Sequence, residues 1–144
     1  ISWLSLLKVK PIVTPHCKEF EVLFGIDACN VPLEEKTVLI RSTAEKNNCI
    51  ILFKQITDVI TDGETVVTVT GGNAGLTKGG TGDVLAGITA AFFTKNEPLT
   101  SALVASYLLK KSSEDLFSTS GTLYNTSDII AQLPLSAKPV LFDN

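Results

Sequence analysis

Between residues 71 and 82 the chain sets six glycines in twelve positions, Gly71-Gly72-Asn73-Ala74-Gly75-Leu76-Thr77-Lys78-Gly79-Gly80-Thr81-Gly82. A β-branched run, Thr65 to Thr70, precedes this stretch. A strongly apolar one, Asp83 to Thr94, follows it with Val84, Leu85, Ile88, Ala91 and Phe92. The pattern predicts a strand, a glycine loop and a helix. Glycine lacks Cβ and tolerates positive φ, so such a loop lets a ligand approach the backbone closely. The first amides of the following helix have no intrahelical acceptor. Together with the helix dipole they form an anion site suited to phosphate or a developing oxyanion. Asp83 falls in the first turn, where it is either a carboxylate reaching into that site or only a helix cap. The spacing matches neither GxGxxG nor GxxxxGK[ST].

The remaining elements imply an α/β architecture. Lys8 to Thr14 reads as a short strand ending before Pro15, since a residue preceding proline favours extended geometry. Phe20, Leu23 and Phe24 recur at helical spacing in Lys18 to Phe24, and Gly25 is a stop signal. Pro32 opens a helix that Asn47-Asn48 closes. Cys49 to Phe53 is continuously apolar, as in a strand covered on both faces. Asp58 to Thr61 and Thr65 to Thr70 flank Asp62-Gly63-Glu64, a hairpin turn. Pro98 opens a helix running to about Phe117. A last short helix spans Thr126 to Leu133, with Thr126 or Ser127 as its cap. Trp3, Tyr107 and Tyr124 are read as core or surface aromatics.

Composition narrows the function classes. The chain has 144 residues, 44 % hydrophobic and 19 % charged, which suits one packed domain rather than disorder. A net charge of −3 and the lack of a basic stripe argue against nucleic acid as partner. Nucleotides stay open, because backbone amides and one or two cations can hold them. No apolar run reaches the roughly 18 residues that a membrane span needs. Ile1 to Lys10 is too short for a signal peptide, and the absence of an initial Met suggests a fragment or processed product. Cys17, Cys29 and Cys49 form no CxxC pair, so the expectation is three reduced thiols in a cytoplasmic protein and no protein metal centre.

Gly79-Gly80-Thr81-Gly82-Asp83-Val84-Leu85-Ala86-Gly87 resembles the GGTGDVLAG signature of the ATP- or ADP-dependent NAD(P)HX dehydratases, which repair hydrated nicotinamide cofactors. Three further segments agree in order. Thr14-Pro15-His16-Cys17-Lys18-Glu19-Phe20 is similar to the family's TPHPGEF, Leu52-Phe53-Lys54-Gln55 through Ile60 to its LLKGxxTVI strand, and Asn73-Ala74-Gly75 to its NPG. The resemblance spans about residues 10–135. Departures are Cys17 and Lys18 for Pro and Gly, Gln55 for Gly, Asp58 for Thr and Ala74 for Pro. The helix around Tyr107 to Lys111 also lacks a His-Gly pair common there.

The resemblance implies a ribokinase-like layered α/β fold. It would have a mainly parallel sheet flanked by helices and a β-hairpin at one side. About the C-terminal half of a domain roughly twice this size would be present. It implies dehydration of NAD(P)HX to NAD(P)H with consumption of ATP or ADP and with Mg²⁺. Asp83 would be the catalytic base and touch substrate, and His16 would bind the hydrated nicotinamide. Lys54, Gln55, Ile56, Thr57 and Asp58 would line the nucleotide together with Gly80, Thr81 and Gly82. Lone histidines are more often structural, so His16 keeps both readings, while Glu19 is expected to support that turn. Lys78 is either a phosphate partner or a solvated loop lysine. Association as a homo-oligomer or with the other half of the domain is expected. The rival functions are a vitamin-precursor kinase of the same superfamily and a non-catalytic nucleotide-binding or assembly module.

Overall fold

The computed structural model describes Leu4 and residues 6–141. Trp3 lies outside them. The elements are β1 (Ile12–Val13), α1 (Cys17–Phe24), α2 (Leu33–Asn47), β2 (Ile50–Phe53), β3 (Thr57–Thr61), β4 (Val66–Thr70), a 3₁₀ turn (Ala74–Leu76), α3 (Thr81–Phe93), α4 (Pro98–Ser120) and α5 (Thr126–Leu141). The sheet runs β1-β2-β3-β4.

Period-two alternation in the strands builds three layers. Ile50, Leu52, Ile60 and Val69 face α3, α4 and α5, where they meet Leu85, Ala105 and Ile129. Ile51, Phe53 and Val59 face α1 and α2, where they meet Phe20, Ile40 and Ala44. All four β2 residues are therefore buried, as a doubly covered strand requires. Phe20 and Phe53 have no exposed surface and meet edge to face at 5.2 Å. Burying each ring contributes roughly 1.5–3 kcal/mol.

The sheet is mixed rather than mainly parallel among the described residues. Only β1 and β2 run parallel, with Ile12 opposite Ile50. β2, β3 and β4 form an antiparallel meander. The reason is the short β2–β3 and β3–β4 connections, which reverse the chain and leave no length for a crossover. In the second of them Asp62 Oδ1 accepts the amides of Glu64 and Thr65 at 2.9 and 2.7 Å.

Three local expectations are corrected. Cys17 and Cys29 form a disulfide, their Cα atoms 5.4 Å apart, and only Cys49 is free and buried. Their distance was set by the α1–α2 loop folding back, which spacing alone does not reveal. Burial pushes the Cys49 thiol up to about 11. Helix α5 does not stop at Leu133 but continues through Pro134 and Pro139. Pro134 lies on the exposed side, and beyond it Ser136 donates to Asp115 of α4 at 2.7 Å, which holds the second half in place. Its cap is Asn125, whose Oδ1 accepts the amides of Ser127 and Asp128 at 2.7 and 3.2 Å. Thr126 is used elsewhere, as described below. No helix among the described residues is long and apolar enough to cross a membrane.

Candidate functional site

The site forms where β1, β2 and β4 end and α3 begins. Gly80, with φ +89°, is the N-cap of α3 and offers no side-chain acceptor to the first amides. An L-residue would be strained there. Thr81 draws the loop inward, its Oγ1 donating to the carbonyls of Leu76 and Lys78 at 2.9 Å each. Thr126 Oγ1 donates to Gly79 O at 2.9 Å from the far side. The first turn of α3 thus borders a cleft; no side chain among the described residues caps it, and only the Thr81 amide finds a backbone acceptor, Lys78 O at 3.5 Å. Asp83, two residues into the helix, is exposed to that cleft.

The loop upstream is held by hydrogen bonds from α4 and Tyr124. Asn73 donates to the Ser113 carbonyl and hydroxyl at 2.9 and 2.6 Å, and its Oδ1 accepts from Gly75 N and Tyr124 Oη at 2.9 and 2.7 Å. A Cβ on Gly75 would collide with the Tyr124 hydroxyl, so only glycine fits beneath that ring. Lys78 is half-buried at the rim of the cleft and is tied to the loop before α5. Its ammonium donates to the carbonyls of Thr122 and Tyr124 and lies 4.5 Å from the centre of the Tyr124 ring.

On the opposite wall an isolated parallel bridge joins His16, three residues past β1, to Lys54, one residue past β2. His16 is the N-cap of α1. Its Nδ1 accepts the amides of Lys18 and Glu19 at 3.1 and 3.2 Å, and Glu19 Oε2 accepts the His16 amide at 2.7 Å, completing a capping box. Nδ1 is therefore unprotonated, and the ring proton sits on Nε2, which is 3.4 Å from Glu19 Oε1. Glu19 also pairs with Lys54 Nζ at 3.1 Å. Burial opposes its ionisation, yet the His16 amide and Lys54 hold the Glu19 carboxyl below its usual value. Lys54 Nζ lies 3.5 Å from the position a Cβ on Gly82 would take. The ammonium and the α3 amides therefore converge on one small region.

Two lobes open from it. The larger, about 910 Å³, runs between Gln55–Ile56 and the glycine loop. The smaller, about 650 Å³, runs along β1 and α1 beside Val22 and Ala86. His16, Glu19, Lys54, Gly82 and Asp83 border both lobes. Of the residues expected at the site, His16, Lys54, Gln55, Ile56, Asp58, Gly80, Thr81, Gly82 and Asp83 border the larger lobe. Thr57 does not; it starts β3, opposite Thr70.

Asp58 is not an open ligand group. It is buried, and it accepts from Gln55 N at 2.8 Å and Ser106 Oγ at 2.7 Å and pairs with Lys110 at 3.4 Å. Burial pushes its carboxyl up, against the Gln55 amide, the Ser106 hydroxyl and Lys110. Sequence reasoning missed Lys110 and Ser106. The available signal was a lysine one residue after Leu109 in an otherwise apolar helix stretch, which needs oxygen partners if buried. Among the described residues the one grouping with metal-ligand character is Cys17, Asp27 and Cys29, and its two sulfurs are bonded to each other.

Comparison with known proteins agrees with this architecture. The chain is 37 % identical over 134 residues to a bifunctional NAD(P)H-hydrate repair enzyme Nnr of Pyrobaculum aerophilum, covering 92 % of this chain and 26 % of that protein. It is 36 % identical over 129 residues to an ADP-dependent (S)-NAD(P)H-hydrate dehydratase of Cenarchaeum symbiosum, covering 89 % and 45 %. The fold superposes with a TM-score of 0.81 and 25 % identity on an ADP/ATP-dependent NAD(P)H-hydrate dehydratase of Bacillus subtilis co-crystallised with ATP and Mg²⁺, covering 90 % of this chain and 48 % of that one. The chain thus spans less than half the length of each of these proteins. A carbohydrate-kinase-type family model described as NAD(P)H-hydrate dehydratase matches residues 3–135, and the chain belongs to that family.

Proposed function

We propose that this chain carries the nucleotide-handling and catalytic part of an ATP- or ADP-dependent NAD(P)H-hydrate dehydratase. The observation that carries the proposal is the meeting of two lobes at Asp83 and the uncapped start of α3. A nucleotide in the larger lobe and a hydrated dinucleotide in the smaller one would meet there.

The larger lobe has a volume usual for small-molecule sites. Its apolar walls, Ile56, Leu76 and Leu109, suit a base, and the Gly80–Asp83 amides with Lys54 suit phosphate. In the smaller lobe His16 Nε2–H offers one donor, shared with Glu19, for the nicotinamide carboxamide or ring hydroxyl. Asp83 takes the proton of the C6 hydroxyl as that oxygen forms a bond to the terminal phosphorus. The bridging P–O bond breaks, and its electron pair leaves with the shortened nucleotide. The C6–O bond then breaks, phosphate departs, and loss of the C5 proton restores the ring double bond. The α3 amides and Lys54 offset the charge that moves through the phosphoryl group. Mg²⁺ would neutralise phosphate charge. It binds mainly through phosphates and water with one or two carboxylates, and Asp83 and Glu19 are the carboxylates bordering both lobes.

The outer edge of β1 has no strand partner among the described residues, which supports association there with a second copy or the other half of the family domain. The substrate supports a cytoplasmic setting, and the Cys17–Cys29 bridge runs against it. The test is to mix hydrated NADH or NADPH with ATP or ADP and the full chain and follow the return of dihydronicotinamide absorbance. Recovery that requires nucleotide is expected. Nucleotide binding without recovery would favour the non-catalytic module, and phosphorylation of a vitamin precursor instead would favour the kinase.

A further inference from the structure

Lys110 borders the larger lobe but has only 5 % of its surface exposed. Its ammonium donates to the carbonyls of Ile56 at 2.8 Å, Gln55 at 3.0 Å and Gly71 at 3.3 Å, and lies 3.4 Å from Asp58 Oδ1. An ammonium has three protons, and these oxygens use all of them. Lys110 is therefore not a phosphate ligand, although it is a cation at the cleft.

Its partners lie on two different walls. Gln55 and Ile56 belong to the β2–β3 connection, and Gly71 is the first residue after β4. One turn further along α4, Glu114 Oε1 accepts the Gly72 amide at 2.9 Å. The lysine stem runs beneath the loop, its Cγ 3.3 Å from where a Gly72 Cβ would lie. Ser106, one turn before Lys110, holds Asp58, and Asp58 holds the Gln55 amide. From the other face of the sheet the buried Lys36 donates to Gln55 Oε1 at 2.9 Å. Gln55 and Asp58 both depart from the LLKGxxTVI pattern. Both meet Lys110, in the helix that lacks the His-Gly pair.

We propose that Lys110 is the positioning residue of the nucleotide lobe: by tying Gln55 and Ile56 to Gly71 it sets the width of the apolar slot that takes the base. The proposal rests on the reading that the lobe binds an adenine nucleotide. Phosphate is held elsewhere, at the α3 amides and Lys54, so Lys110 governs the base and leaves phosphate affinity alone.

The experiment titrates ADP, ATP and inorganic pyrophosphate calorimetrically into the full chain as wild type, Lys110→Met and the double variant Asp58→Asn/Lys110→Met. Lys110→Met should melt lower, because it leaves a buried carboxylate unpaired. The double variant removes that charge and should regain melting temperature. Both variants should bind ADP and ATP about tenfold more weakly, or about 1.4 kcal/mol, with pyrophosphate affinity within about twofold of wild type. A purely structural lysine would instead give nucleotide affinity that recovers with stability. A double variant that binds nucleotide as wild type does, or that loses pyrophosphate equally, overturns this inference alone. A wild type that binds no adenine nucleotide overturns the proposed function, and this inference with it.

Discussion

Gly80 and Gly82 are two residues apart, and alanine at each should have opposite effects. Gly80 has φ +89°, where an L-residue costs roughly 1–2 kcal/mol, and its Cβ would lie 3.3 Å from Thr126. For a chain of this length that corresponds to a fall of roughly 3–10 °C in melting temperature. Gly82 is helical, and the nearest atom to its Cβ position is Lys54 Nζ at 3.5 Å, an ordinary contact. Alanine there is tolerated and, by helix propensity, favourable by up to about 1 kcal/mol. Yet the added methyl would occupy the space between the ammonium and the α3 amides. A phosphate oxygen held by that ammonium needs to come within about 2.8 Å of it. Gly80→Ala should therefore lower the melting temperature. Gly82→Ala should leave it unchanged or raise it, while weakening pyrophosphate and ADP binding by about tenfold or more. Thermal unfolding and calorimetric titration of both variants measure this directly. If Gly82→Ala binds pyrophosphate like wild type, phosphate is not held between Lys54 and the α3 amides.

Asp83→Asn should lower turnover by about 10² to 10⁴ fold and leave nucleotide affinity near wild type, because it removes a base and keeps the amides. Near-normal steady-state turnover would reduce Asp83 to a helix residue. At His16, Asn retains the N-cap whereas Ala loses it, at about 1 kcal/mol. His16→Asn should melt like wild type but show a raised KM for the hydrated cofactor; an unchanged KM would leave the histidine a cap alone. Thiol titration in denaturant should count one thiol, Cys49, without reductant and three after reduction, and three at the outset would disprove the Cys17–Cys29 bridge. Burial opposes ionisation of Asp62 and Asp115, but the Thr65 and Glu64 amides in the first case, and Lys111 and Ser136 in the second, hold both carboxyls low. Their stabilisation is present above the unfolded value of about 4 and lost as pH falls through the lower folded values. Asn at both positions should flatten the acid side of the melting curve against pH, and an unaltered slope would contradict this.

Local chemistry was enough to read most elements and the heart of the candidate site from the chain. Gly25 and Asn48 end α1 and α2 with φ of 71° and 49°, where the stop signals stood. The hairpin turned at Asp62-Gly63-Glu64, and the glycine run opened α3 towards a cleft, because turn chemistry and helix ends depend on residues a few positions apart. What depended on distant partners was not legible. The continuously apolar run Cys49 to Phe53 implied a strand covered on both faces but not that the meander would leave a single parallel pair among the described residues. The last helix read as ending at Leu133, since the Ser136–Asp115 contact that carries α5 past Pro134 joins residues 21 positions apart. Cys17 met Cys29 because the α1–α2 loop turned back. Asp58 was expected to line the nucleotide; it borders the lobe, but nothing nearby in the chain revealed that its carboxylate would be a buried partner of Ser106 and Lys110, residues 48 and 52 positions away. The sequence by itself determined where an anion site could form, because that needs only glycines before a helix. Tertiary structure alone decided which charges would face it, because a lysine or carboxylate is free or consumed according to the oxygens and amides that folding brings within 3 Å.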